Sequence, residues 1–293
     1  MRRQKSFAKI ENIGTLYVVA TPIGNLDDMT VRAINILREV DVIAAEDTRQ
    51  TRKLTTHFNI STALVSYHEH NRKKQGKVLL ERLLQGESIA LVSDAGTPAV
   101  SDPGADLVQD AVQQEIPVVP IPGANAALSA LVGSGLPTER FLFLGFLPRD
   151  RKHCVETLRQ WRGIEATVLL YEAPHRLLAT LRLIKDEWGN RNGAVVRELT
   201  KRHEEWLRGT VQEFIAWFEQ EPPRGECTLV LEGGCDHVDV EETQPLPWWH
   251  NLSVQEHVDH LVREGVSARD AIKQVAEERH IGKREVYNDY HNK

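Results

Sequence analysis

Short apolar runs alternate along the first half of the chain with segments in which apolar residues recur at helical spacing. The apolar runs, which predict buried strands, lie at 16–20, 41–45, 89–92 and 118–121. The segments of helical spacing lie at 31–40, 48–58, 71–84, 105–114 and 125–132. Strands that alternate with helices over short connections are typical of a largely parallel sheet with helices on both faces.

The second half repeats this alternation after a stretch, 133–140, that contains glycine and proline. The predicted strands lie at 141–146, 167–171, 194–198 and 227–232. The predicted helices lie at 153–161, 176–188 and 211–218, and further helical segments lie at 253–264, 267–280 and from 283 onward. The fold class that we expect is therefore α/β, with two α/β domains followed by a small C-terminal helical domain.

The pattern divides the chain into a flexible N-terminal segment, an N-terminal α/β domain, a second α/β domain, a linker and a helical C-terminal domain. The expected bounds are 1–13, 14–133, 134–235, 236–247 and 248–293. The linker is polar and acidic and contains proline. The C-terminal helices could form a helix-turn-helix module, although such bundles more often serve in docking or dimerisation.

Composition indicates a globular protein, with 41% hydrophobic and 27% charged residues among 293. No apolar run approaches the roughly 20 residues of a membrane helix. The basic N-terminal residues are not followed by an apolar stretch, so they do not resemble a secretory signal. Cys154, Cys227 and Cys235 have no metal-binding spacing, and so sparse a set favours a reducing cytoplasm over a disulfide framework.

The net charge of −6 weighs against a dedicated nucleic-acid binder, because phosphate contacts normally require a basic surplus. Any surface for RNA must therefore come from an uneven distribution of charge. Basic residues cluster at 72–77 and at 140–162, although most such clusters are merely solvated faces.

Three loops that directly follow predicted strands combine glycine, proline and small polar residues: 20–25, 93–104 and 120–127. Open α/β sheets bind ligands at this end of their strands. Glycine permits close approach of the main chain to a ligand, and proline makes the surrounding chain rigid. The second loop favours a polar, zwitterionic ligand, whereas the first could be a structural turn and Asn125 in the third could simply cap a helix.

Seven short motifs occur in order along the chain: TPIGN from Thr21, AEDTR from Ala45, SDAGTPAVSDPG from Ser93, PIPGANAA from Pro120, GFLPR from Gly145, YEAPHR from Tyr171 and RELTK from Arg197. In combination they resemble the ribosomal RNA small subunit methyltransferase I family, within the class III, tetrapyrrole-methylase-like methyltransferases. The resemblance covers about 14–233, and the tail is similar to the family's small C-terminal helical domain.

This resemblance implies two α/β domains of the tetrapyrrole methylase type, with S-adenosylmethionine bound in the cleft between them, and a homodimer. It implies 2′-O-methylation of a cytidine in the 16S ribosomal RNA of the small subunit decoding centre, cytidine 1402 in the customary rRNA numbering. No metal and no membrane partner is implied.

The resemblance also implies the positions that contact the cofactor: Pro22, Ile23, Asp94, Thr97, Ala99, Val100, Ala124, Asn125, Leu170, Tyr171 and Thr228. The basic residues that we expect to contact RNA are Arg49, Arg149, Arg176, Arg197 and Lys201.

Methyl transfer to a ribose hydroxyl requires in-line placement of the oxygen and benefits from a nearby base. Glu46 and Asp47 follow a predicted strand, in the position where sites are found, so they are the first candidates for proton handling. Asp47 could instead cap the helix that begins near Thr48. His175 is a further candidate, with capping or packing as its alternative.

Two other functions remain open at this point. A tetrapyrrole precursor of the precorrin type could be the methyl acceptor, although the AEDTR and YEAPHR motifs and the tail favour RNA. The chain could also be a non-catalytic, cofactor-sensing RNA-binding module.

Overall fold

A computed structural model of the chain describes residues 4–6, 12–234, 248–249, 252–279 and 281–291. The chain divides into two compact units, Met1–Asp236 and His237–Lys293. The expected linker, 236–247, lies outside the described residues, as do Cys235 and most of the expected flexible segment 1–13. The five domain bounds given above stay predictions.

The first unit begins with a fully parallel sheet whose strand order is β3-β2-β4-β1-β5. The strands are β1 (Leu16–Val19), β2 (Val42–Ala45), β3 (Ala63–Ser66), β4 (Ile89–Val92) and β5 (Val118–Ile121). The helices are α1 (Val31–Glu39), α2 (Thr48–His57), α3 (Arg72–Leu84), α4 (Gly104–Gln113) and α5 (Ala126–Ser134). The parallel sheet predicted from the alternation is confirmed.

Polar side chains cap α1 and α5, and at Asn125 this is the capping role that the sequence left open. Thr30 accepts a hydrogen bond from the main chain of Ala33 at the start of α1, and Asn125 accepts one from Leu128 at the start of α5. Strand β3 was not predicted, because it is a four-residue edge strand with exposed ends and carries no long apolar run.

The second sheet has the order β6-β7-β10-β8-β9. Its strands are β6 (Phe141–Phe146), β7 (Thr167–Glu172), β8 (Asn192–Arg197), β9 (Glu205–Thr210) and β10 (Cys227–Leu231). Its helices are α6 (Arg151–Gln160), α7 (Pro174–Trp188) and α8 (Val211–Gln220). Only β6 and β7 pair in parallel, and the other three pairings are antiparallel. The repeated alternation did not predict this mixed sheet or the polar edge strand β9.

Both faces of the second sheet are covered. Helices α6, α7 and α8 pack on one face in a core that includes Leu158, Leu181 and Phe214. On the other face lies α5, whose Ala130 and Leu131 pack against residues of β7, β8 and β10. The last helix of the first sheet is therefore also a layer of the second.

The second unit contains α9 (Val254–Arg263), α10 (Ala268–Glu278) and α11 (Lys283–His291), which share a core of their own. Ser267 caps α10 by accepting a hydrogen bond from the main chain of Asp270. His257 is fully buried, and the ring of Trp249 stacks on it with centroids 5.3 Å apart. Across the described part of the chain, no helix has the length and apolar character needed to cross a membrane.

Candidate active site

Three loops that follow neighbouring strands of the first sheet meet at its carboxyl-terminal edge. The main chains of Thr21, after β1, and Gly96, after β4, exchange two hydrogen bonds with N···O distances of 2.9 and 3.1 Å. Thr97 Oγ1 donates to the carbonyl of Ala124, after β5, at 3.3 Å. Because ligands bind at this edge in open α/β sheets, the loops form one wall of a candidate site.

A cavity of about 480 Å³ lies at these loops and is lined by residues of both sheets' strands and connections. Its size is typical of small-molecule and cofactor sites. Nine residues expected from the sequence line it: Ile23, Glu46, Asp94, Thr97, Val100, Asn125, Tyr171, Lys201 and Thr228. Residues far apart in the chain are thus brought into one cavity.

Four of the expected cofactor contacts are not among the lining residues. Leu170 is fully buried in the core beneath α6–α8, so only its main chain could reach a ligand. Ala124 contributes a main-chain carbonyl that is already bonded to Thr97. Pro22 and Ala99 each adjoin a lining residue, and their contacts stay predictions.

Strained main chain surrounds the cavity. The non-glycine residues of positive φ beside it are Ala99 (67°), Ser101 (65°), Glu198 (52°) and Thr200 (67°). Such conformations cost on the order of 1–3 kcal/mol each and cluster at functional sites. Asp102 stabilises the loop at 93–104, since its Oδ1 accepts hydrogen bonds from the main chains of Ala99 and Gly104 at 2.9 and 2.7 Å.

Six acidic residues line the cavity, and three of them, Glu46, Asp94 and Asp102, lie in connections of the first sheet. The other three lie beside a basic side chain of the protein, Arg176 or Lys201: Glu172, Glu198 and Glu226. Burial, and then the charge of Asp94, raise the pKa of Glu46 above its ordinary value. Burial also raises the pKa of Asp102. A carboxylate with a raised pKa is a better base at neutral pH, and the combined negative charge suits a cationic ligand.

Asp47 has a structural task. It caps α2 by accepting a hydrogen bond from the main chain of Arg49 at 2.8 Å, and it pairs with the Arg49 guanidinium at 2.7 Å. The hydrogen bonds from Arg49 lower the pKa of Asp47 to about 2, which makes it a weak base. Arg49 lies on the exposed surface of α2 and does not line the cavity.

Lys201 reaches the cavity from the loop after β8. Its Nζ lies 3.0 Å from Glu198 Oε1 and 3.7 Å from Glu226 Oε2, so its charge is balanced by two carboxylates. Its stem packs on Gly24, where a Cβ atom would lie 2.3 Å from Lys201 Cγ. The loop after β8 is therefore in direct contact with the loop after β1.

A groove of about 1200 Å³ adjoins the cavity and shares Phe146 and Ala173 with it. The expected residues Arg149, His175 and Arg176 line this groove and not the cavity. His175 therefore does not share the cavity with Glu46, Asp94 and Asp102.

Two further expected RNA contacts are engaged within the protein, as Arg49 and Lys201 are. Arg176 Nη2 donates to the carbonyls of Leu147 and Pro148, at 3.1 Å each, and its Nε lies 3.4 Å from the buried Glu172 carboxylate. Arg197 is paired with Glu205 and lies in neither the cavity nor the groove.

Sequence reasoning missed Phe146, which lines both the cavity and the groove. The available signal was an aromatic residue that follows a glycine at the end of a strand. Among the described residues, no group of three or more His, Cys, Asp or Glu side chains could hold a metal ion.

The family model described as Tetrapyrrole (Corrin/Porphyrin) Methylases matches residues 15–215. Ribosomal RNA small subunit methyltransferase I of Halalkalibacterium halodurans is 52% identical over 291 residues, which cover 99% of each chain. The proteins of the same name from Bacillus subtilis and Synechocystis are 50% and 46% identical, over 100% and 94% of this chain and 99% and 96% of their own. The chain belongs to the ribosomal RNA small subunit methyltransferase I family, within the tetrapyrrole methylases.

Solved structures confirm the fold. Uroporphyrin-III C-methyltransferase from Thermus thermophilus, complexed with S-adenyl homocysteine, has a TM-score of 0.53 at 18% identity, over 75% of this chain and 97% of its own. A structure of diphthine synthase has a TM-score of 0.57 at 15% identity, over 75% and 90% of the two chains. At these identities the likeness extends to the fold alone.

Proposed function

We propose that this chain transfers a methyl group from S-adenosylmethionine to the ribose 2′-hydroxyl of a cytidine in 16S ribosomal RNA, at the decoding centre of the small subunit. The observation that carries this proposal is the full-length identity of up to 52% to methyltransferases named for small-subunit ribosomal RNA. The cavity at the strand ends supports it, since it offers both a cofactor site and a base.

The cavity residues fit the cofactor. S-adenosylmethionine carries a sulfonium and an ammonium, and Glu46, Asp94 and Asp102 place negative charge where such a ligand would bind. The loop at 93–104 has main-chain groups suited to the amino-acid moiety, and Tyr171 and Thr228 of the second sheet also line the cavity. When bound, the cofactor supplies an electrophilic methyl group whose bond to sulfur breaks as the ribose oxygen attacks.

Glu46 is the proposed base. Of the three catalytic candidates, Glu46 alone lines the cavity. Its raised pKa lies closer to neutral pH than the pKa of an ordinary glutamate, which makes it a better proton acceptor. Asp47 is occupied in capping α2, and His175 faces the groove. The proton of the 2′-hydroxyl would pass to the Glu46 carboxylate as the new carbon–oxygen bond forms.

We also propose a homodimer in the cytoplasm. Leu128 and Val132 are 47% and 78% exposed and lie one turn apart on α5, which gives an apolar strip suited to a subunit contact. Cys154 and Cys227 are buried as free thiols, consistent with a reducing compartment.

The test is methyl transfer to small subunits from cells that lack the gene. The wild-type chain should restore the ribose methyl on the cytidine, detected by mass spectrometry of the isolated nucleoside, and an Asp94→Asn variant should restore much less. A tetrapyrrole precursor should accept no methyl group in a parallel reaction. Subunits from the deletion strain that already carry the methyl group would contradict the proposal.

A further inference from the structure

Phe146 is a large aromatic side chain exposed at the junction of the cavity and the groove. It is 57% exposed, and it belongs to the lining of both. It is the last residue of β6, which is an edge strand of the second sheet. In this position, Phe146 can contact a ligand that extends from the cavity into the groove.

A β-bulge directs Phe146 toward the cavity. Along β6, Phe143 pairs with Leu169 of β7, but Gly145 pairs with the next residue, Leu170, so the register shifts by one. Regular alternation would place Phe146 on the face of Leu144, which packs against the α6–α8 core. The shift places it on the other face, because bulges re-aim side chains near functional sites.

The ring of Phe146 is supported from one side by other aromatic rings. Its centroid lies 5.5 Å from that of Tyr171, which in turn lies 4.9 Å from that of Phe143. The Tyr171 hydroxyl accepts a hydrogen bond from the main chain of Ala127 at 3.1 Å, which fixes the ring that Phe146 contacts. Phe146 is thus an anchored aromatic surface with one side open.

The groove beside Phe146 carries uncompensated positive charge. Arg149 and Arg151 are exposed, line the groove and form no ion pair with any carboxylate in the part of the chain that the structure describes. Arg182 pairs with Glu219 at 2.7 Å, so its charge is balanced. Asp186 is the acidic residue in the lining. The groove therefore suits a polyanion despite the net negative charge of the chain.

We infer that Phe146 stacks on the base of the nucleotide that accepts the methyl group, while Arg149 and Arg151 bind the flanking phosphates. The inference rests on the proposed function and adds the residues that place the acceptor. A base stacked on Phe146 leaves its own ribose at the cavity side, where the methyl group is delivered, and lets the adjoining strand follow the groove. Aromatic stacking of unpaired bases beside basic grooves is the general way in which proteins bind single-stranded RNA.

The experiment compares Phe146→Leu, Phe146→Trp and Phe141→Leu in the full-length chain. Phe141 is the matched control, because it is 46% exposed at the other end of the same strand and lines neither the cavity nor the groove. Methyl transfer from labelled S-adenosylmethionine is measured at varied concentrations of small subunits that lack the modification. Cofactor affinity is measured separately by calorimetry.

We expect Phe146→Leu to lower kcat/KM for the subunits about tenfold, the effect of losing one base–aromatic stack, with the cofactor Kd unchanged. Phe146→Trp should remain near the wild-type value, and Phe141→Leu should not differ from it. A value for Phe146→Leu within twofold of wild type would overturn the inference, as would a tryptophan variant no better than leucine. Absence of methyl transfer by the wild-type chain would instead refute the proposed function, before any variant is compared.

Discussion

Replacement of Arg176 by alanine should destabilise the first unit far more than replacement of another arginine on the same helix. Arg176 donates hydrogen bonds to two main-chain carbonyls and lies beside Glu172. The Glu172 side chain is 1% exposed. It also accepts hydrogen bonds from Thr180 Oγ1 at 2.6 Å and from the main chain of Ala173 at 2.9 Å. Arg176→Ala therefore leaves a buried carboxylate without its cationic neighbour.

Removal of one partner from a buried ion pair costs about 3–5 kcal/mol. We expect a value of about 3 kcal/mol, because Glu172 keeps its other two hydrogen bonds and the Arg176 side chain is 22% exposed. In a unit of this size, 1 kcal/mol shifts the unfolding midpoint by about 2–4 °C, so the midpoint should fall by about 6–12 °C. Arg182→Ala breaks an exposed pair with Glu219 and should cost at most about 1 kcal/mol.

The assay is thermal unfolding of the single variants, of Glu172→Gln, and of the double variant Glu172→Gln/Arg176→Ala. Since glutamine carries no charge, Arg176→Ala should cost at least about 1 kcal/mol less in the Glu172→Gln background than alone. Equal shifts for Arg176→Ala and Arg182→Ala, or strictly additive effects in the cycle, would refute the reasoning.

Three further outcomes are expected. The acid limb of the kcat/KM profile should lie above the ordinary glutamate pKa of 4.5, because activity is lost as pH falls and Glu46 is protonated, and Glu46→Gln should abolish that limb. Arg149→Ala should lower the slope of log affinity for the subunit against log salt by about one, whereas Lys152→Ala, outside the groove, should change it less. Gly145→Ala places a methyl 2.9 Å from Ser101 Oγ and should weaken cofactor binding in calorimetry, whereas Gly135→Ala, also at positive φ but with no atom within 4 Å, should not.

The sequence predicted the first sheet well, because its strands are buried apolar runs and its helices begin at good capping residues. It did not predict β3 and β9, which lie at sheet edges and keep polar or exposed positions. The antiparallel pairings of the second sheet were also missed. The periodicity of apolar residues indicates which face of a strand is buried. Whether the neighbouring strand runs parallel or antiparallel depends on contacts between segments that are distant in the sequence.

Many of the residues that line the cavity could be predicted from the sequence, because the loops that carry them follow strands that end at one edge of the sheet. The roles of individual charged residues could not be predicted in this way. Asp47 and Glu46 are adjacent in sequence, yet one is held by Arg49 and the other lines the cavity. Arg176 and Arg149 belong to different motifs of similar appearance, and only Arg149 is left exposed. Phe146 was missed because its orientation depends on a register shift in the pairing of β6 with β7.

Helix α5 has a consequence for synthesis of the protein on the ribosome. The parallel sheet is complete once β5 has emerged, but the buried partners of Ala130 and Leu131 in β7, β8 and β10 follow only later in the chain. Strand β10, central in the second sheet, is the last to be made, and it brings Thr228 to the cavity. In a nascent chain, the apolar surface of α5 should therefore stay exposed until the second sheet forms. The chain should bind its cofactor only after about residue 231 has been released from the exit tunnel.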